Sequence, residues 1–223
     1  GRVDDSVSET DSAANSASSA HLTRTDSPPD LSTASLLANV AVSQGLFGAL
    51  LLAGAWYTEI PARAFGVGPD VVGLEAVALG IGLGVALYVA NEAGAAVGGR
   101  FDLGDSERLR SALAPEMPLG WATLLLVVLP VIAGFEELLF RGALIGVLAA
   151  GFDVSPWALA VVSSGAFALG HGAQGRAGIV ATGVLGCVLA GAFVLTESFA
   201  LVVVAHYVVN ALTLVVHEGL GVD

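Results

Sequence analysis

From about residue 35 onward the chain is a succession of apolar runs, at about 35–57, 71–90 (extending toward 98), 119–151, 156–171, 177–195 and 198–217. A helix needs ~20 mostly apolar residues to cross the hydrocarbon core of a bilayer, with a usual range of ~17–25. Four of the runs fit or nearly fit that length. The run 156–171 is slightly short. The run 119–151 is too long for one straight span, since at 1.5 Å per residue it would reach roughly 50 Å. It is expected either to tilt and bend near Pro130 or to consist of two pieces meeting near Gly134. The fold class that follows is all-α: a polytopic transmembrane helix bundle with six to eight membrane helices.

Charge is sparse and unevenly spread. Only 13% of residues are charged and 55% are hydrophobic, against about 25% charged in an ordinary soluble domain. Residues 1–33 hold six acidic residues together with many Ser, Ala and Thr and the pair Pro28-Pro29. With no periodic apolar face, this acidic, Ser-rich tail is expected to be disordered. It also lacks the basic and apolar regions of a secretory signal peptide. The expected division is thus a tail at 1–33, amino-terminal membrane helices and a polar loop at 34–118, and a membrane core at 119–223.

The formal net charge is −12, and all eight basic residues are arginine. No basic stripe exists for a nucleic-acid partner, so that class is excluded. An acidic, lysine-free chain suits a salt-loving source, where salt screens the self-repulsion of a negative surface. Loop 91–118 carries Arg100, Arg108 and Arg110, and the positive-inside rule assigns it to the cytoplasmic side. Two spans precede it, so the amino terminus is expected there as well, with the protein in the plasma membrane of a prokaryote. The single cysteine, Cys187, excludes an intramolecular disulfide and is expected to be a small packing residue. Gly80/Gly84, Gly94/Gly98 and Gly142/Gly146 have the GxxxG spacing that lets helix backbones approach closely in lipid.

Ionisable residues inside hydrocarbon cost at least ~2.5–3.5 kcal/mol each on insertion scales, so they mark candidate sites. They fall in three places. In the first, Glu137 and Arg141 stand four apart on one helical face and can neutralise each other. Glu136 lies about 100° round the helix with no partner in its own segment, a setting that suits a general base. In the second, His171 ends the run containing Phe167. In the third, His206 and Asn210 share one face in the middle of an apolar run. Each also has a structural reading: a polar knot between helices, an interfacial histidine, and an interhelical hydrogen bond. His21 and His217 carry no such signal. Depth counting links the first two places, because Glu136 and His171 both lie about 17 residues from the turn 151–155. His206 is only about nine residues past the next turn on that side, and so is expected roughly 10 Å away in depth.

The three motifs, in this order, resemble the CPBP intramembrane protease family, which includes the type II CAAX prenyl endopeptidases and the Abi proteins. The family pattern is EExxxR, then FxxxH, then HxxxN or HxxxD. Glu136-Glu137 with Arg141, Phe167 with His171, and His206 with Asn210 meet every position, within about residues 119–217. The resemblance implies an intramembrane endopeptidase acting on a membrane-associated protein, with a prenylated CAAX protein as the best-known target. It implies that Glu136 and His171 activate the attacking water, that His206 and Asn210 stabilise the oxyanion, and that Glu137 and Arg141 orient the site. These residue types suit amide hydrolysis, which needs a base, a proton donor and oxyanion donors. The acidic tail and the few helices before the core set the chain apart from a eukaryotic CAAX protease and leave the substrate open.

A metal-dependent version would use Glu136, His171 and His206 as zinc ligands, a known catalytic donor set. The chain lacks the short HExxH spacing of zinc proteases, and Asn210 beside His206 suits an oxyanion donor, so no cofactor is favoured. A rhomboid-type serine protease would have to use Ser163-Ser164-Gly165, which lacks the GxSx setting. The remaining class is a non-catalytic membrane scaffold or a transporter using the glutamates as a proton or ion site. Against it, the first two apolar runs carry no matching polar pairs, and no internal repeat is evident.

Overall fold

A computed structural model describes residues 32–98 and 104–221. The tail expectation, His21 and Arg100 lie outside the described residues. The fold below is that of the unit beginning at Thr33.

Every regular element among the described residues is helical. We number them α1 (Thr33–Tyr57), α2 (Leu74–Gly98), α3 (Gly104–Leu113), α4 (Pro118–Phe152), α5 (Pro156–Gly170), α6 (Gly175–Thr196) and α7 (Phe199–Gly219). Of these, α1, α2, α4, α6 and α7 are long and apolar enough to span a membrane, and α5, with 15 residues, is a shorter apolar helix. Large apolar side chains such as Leu46, Leu50, Leu79, Leu126, Val161 and Val180 face outward, as expected where the surrounding solvent is lipid. The chain is an integral, polytopic helical membrane protein.

Local sequence sets the helix ends. Pro118 and Pro156 occupy the first turns of α4 and α5, where a missing N–H is harmless. Asp153 (φ 54°) and Glu197 (φ 49°) adopt left-handed conformations that stop α4 and α6. Ser198 caps α7, its Oγ accepting from Leu201 N at 3.3 Å. The segment 119–151 is one continuous helix, with no break at Gly134. It winds more widely, as π-helix, at Leu124–Val128 and Leu138–Val147. The first of these lies just ahead of Pro130, which cannot donate to the carbonyl four residues back.

Small residues decide which helices touch. A Cβ at Gly80 would come within 2.7 Å of Leu201 O, and one at Gly84 within 2.7 Å of Ala205 O. The α2 backbone therefore lies directly on α7, without intervening side chains. Gly142 and Gly146 receive Phe65 and the Ala64 carbonyl from the turn Ala62–Phe65, and Gly146 also meets Phe193 of α6. Gly94 has nothing within 4 Å of its would-be Cβ. The same connection, residues 58–73, braces the end of α6: Phe199 N donates to Gly66 O at 3.0 Å and Ser198 Oγ to Val71 O at 2.6 Å. Arg63 pairs with Asp70 and, at 3.0 Å, with Glu197. Hydrogen bonding to the guanidinium holds the Asp70 carboxyl below the usual carboxylate range.

Two expectations are corrected. Region 91–118 is not an extended polar loop, because α2 runs on to Gly98 and α3 forms within it. Cys187 is not a packing residue but is exposed. The inward face of α6 is occupied by Thr182, Gly186, Leu189, Ala190 and Phe193, and an apolar thiol facing lipid carries no penalty.

Candidate active site

The polar residues of α4, α5 and α7 meet within the bundle. Glu137 and Arg141 have no exposed side-chain surface. Arg141 Nη1 donates to Glu137 Oε1 at 2.8 Å, and Nη2 donates to the Gly186 carbonyl of α6 at 3.0 Å. The same Glu137 oxygen accepts from His206 Nδ1 at 2.7 Å. The Glu137 carboxylate thus ties α4 to α7, and Arg141 extends the network to α6, so that hydrogen bonds offset the desolvation of the buried ion pair. The sequence pairing of Glu137 with Arg141 is present, while its link to His206 had no sequence signal.

Glu136 points to the other side of His206. Its Oε2 lies 3.6 Å from His206 Nε2 and 3.9 Å from His171 Nε2, and makes no hydrogen bond to any described residue. His171 follows the last turn of α5, where the chain passes into the turn Gly172–Gln174. Its Nδ1 bonds to Phe167 O at 2.8 Å, which fixes the ring and turns Nε2 toward Glu136. The level match of Glu136 and His171 holds.

The expected separation of His206 does not. Counting placed it roughly 10 Å away in depth, whereas it touches both glutamates. The turn at Glu197 is held by residues 58–73. Phe193, near the end of α6, packs at Gly146, well inside the end of α4, 3.3 Å from where a Cβ would stand. The wide winding of Leu138–Val147 also advances less per residue than an α-helix, which shortens α4 toward α7.

Phe167 is the floor of the site. Its buried ring lies 4.5 Å from the His171 ring and 5.9 Å, edge-on, from that of His206, with the Arg141 guanidinium 4.7 Å from its centroid. A Cβ at Gly186 would come within 3.1 Å of this ring, so glycine there admits both the ring and the Arg141 hydrogen bond. Asn210 is half-buried one turn beyond His206, and its side-chain amide hydrogen-bonds to no described residue. Ser163 and Ser164 are buried and donate to Phe140 O and Ala160 O, each at 2.7 Å. They are packing hydroxyls rather than nucleophiles.

Exposure falls from His171, with 22% of its side chain accessible, through Glu136 at 13%, to His206 at 3%. The site is therefore open at the His171 end. There α3 packs against the turn Gly172–Gln174, and Arg110 Nε binds Glu218 at 2.7 Å. His217, which carried no sequence signal, meets Glu92 at 3.1 Å on the same end of the bundle.

Residues 118–212 match the family model described as type II CAAX prenyl endopeptidase Rce1-like. This region is an Rce1-like domain. It covers less than half of the chain and includes all six polar site residues. No curated protein and no solved structure matches the chain. At the family level this match supports a membrane-embedded protease, a hydrolase.

Proposed function

We propose that this chain is an intramembrane endopeptidase that hydrolyses a peptide bond with water activated by Glu136 and His171. The observation that carries the reading is the convergence of one otherwise unbonded Glu136 oxygen on two histidine Nε2 atoms, at 3.6 and 3.9 Å. Those gaps are too long for direct hydrogen bonds and suit a water held between the groups. Glu136 takes one proton of that water as the oxygen attacks the carbonyl carbon. As the C–N bond breaks, the proton passes by way of Glu136 or His171 to the leaving amine.

The oxyanion falls to His206 and Asn210. His206 Nδ1 is committed to Glu137, so only a doubly protonated ring offers an Nε2–H donor. The Asn210 amide, one turn along the same face, supplies a second donor. Glu137 and Arg141 orient His206.

In the zinc version the ligands would be Glu136, His171 and His206. Among the described residues no group of three or more His, Cys, Asp or Glu has the grouping of a metal site, and no step is routed through a metal. The family match points to a prenylated CAAX-type protein as substrate, and Arg108 and Arg110 in α3 favour a cytoplasmic site mouth and amino terminus. The test is turnover of prenylated and unprenylated fluorogenic peptides by purified protein in detergent. Glu136→Gln is expected to lower turnover by a factor of at least ~100 while the fold survives. Near-normal turnover by that variant would remove the assignment.

A further inference from the structure

We infer that Gln44, on α1, is a substrate-positioning residue whose amide hydrogen-bonds the peptide backbone near the scissile bond. This rests on the protease reading above.

Four buried side-chain polar atoms among the described residues have no hydrogen-bond partner: Gln44 Oε1, Glu136 Oε2, Glu137 Oε2 and Arg141 Nε. Three belong to the active-site motif. Buried polar groups are rarely left unbonded, and the exceptions concentrate where a ligand or reaction uses them. Gln44 is the one outside the motif, on a helix that the family match does not reach.

Its position follows from its neighbours. Leu37, Ala41, Gln44 and Gly48 recur at helical spacing and form one face of α1. Leu37 is part of a buried cluster against which Ala41, Ile132, Tyr207 and Ala211 pack. Gly48 meets Phe135, with 3.5 Å from its would-be Cβ to Cδ2, and Gly45 meets Val131 at 3.9 Å. Gln44 precedes Gly45 and therefore lies at the depth of Val131, five residues before Glu136 on α4 and so roughly 7 Å short of it along the helix. Phe135 precedes Glu136, Tyr207 follows His206, and Ala211 follows Asn210.

A primary amide carries an acceptor and a donor side by side, the complement of a peptide unit. Exchanging the amide oxygen and nitrogen preserves that capacity. A glutamine that merely tied helices together would spend its oxygen on a neighbouring helix, which Oε1 does not do. An acceptor at this depth suits a backbone N–H about two residues along an extended substrate from the bond held at Glu136.

The test compares wild type with Gln44→Leu, and with Gln44→Met as a second variant, on an all-amide fluorogenic peptide. Parallel peptides carry an ester in place of one backbone amide at successive positions on either side of the scissile bond. Wild type should lose about tenfold in kcat/KM at one ester position, the weight of one hydrogen bond. The variants should show a KM about tenfold higher on the all-amide peptide, no added loss at that ester position, and thermal stability at or above wild type. Variants that keep the wild-type KM, or lose as much as wild type at the same ester, overturn the inference while leaving the protease reading intact. Absence of cleavage of any peptide by wild type would defeat that reading, and this inference with it.

Discussion

Replacing Glu137 by glutamine keeps the shape of the side chain but removes the charge opposite Arg141. Both side chains are fully buried, and one carboxylate oxygen, Oε1, accepts from Arg141 at 2.8 Å and from His206 at 2.7 Å. Removing one partner of such a pair costs about 3–5 kcal/mol, because an uncompensated charge stays buried. At roughly 2–4 °C per kcal/mol for a chain of this size, the unfolding temperature in detergent should fall by about 6–20 °C. Turnover should fall as well, since His206 loses its anchor. The double variant Glu137→Gln with Arg141→Gln removes both charges and should recover part of the lost stability, a positive coupling in a double-mutant cycle. Thermal unfolding of the four proteins measures it. A Glu137→Gln protein as stable as wild type, or a double variant less stable than either single one, would refute the pairing argument.

Turnover should persist after exhaustive chelation, checked by elemental analysis of the same preparation; stoichiometric zinc whose removal abolishes cleavage would replace the metal-free scheme. Gly84→Leu forces a side chain into the Ala205 carbonyl, 2.7 Å from the Cβ position. Overpacking of this kind costs typically 1–3 kcal/mol, and moving α7 away from α2 should lower turnover along with unfolding temperature.

The spans were legible because hydrocarbon thickness sets their length, and the Glu137–Arg141 pair because four residues make nearly one helical turn. The Glu136–His171 match was legible because a short turn joins α4 to α5. The position of His206 was not, since it depends on how residues 58–73 hold the turn at Glu197 and on the wide winding of Leu138–Val147, tertiary facts with no local period. The Gly186 carbonyl that receives Arg141 is backbone, so residue type gives no sign of it. Cys187 and Gln44 were missed for another reason. In lipid, outward and inward faces are equally apolar, and hydropathy does not say which way a residue points.

The shortest apolar helix has its own consequence for the reaction. At 15 residues α5 is roughly 22 Å long, against a hydrocarbon core of ~30 Å. It stops well short of one interface, and His171 stands at the point where it stops. Beyond it come the turn Gly172–Gln174 and α3 packed against that turn, and a span shorter than the hydrocarbon core thins the bilayer or admits water on its flank. Hydrolysis consumes one water molecule per bond cleaved. A helix too short for its membrane brings that water to Glu136 without a polar channel through the bundle, and makes the rate of the reaction sensitive to the thickness of the lipid around it.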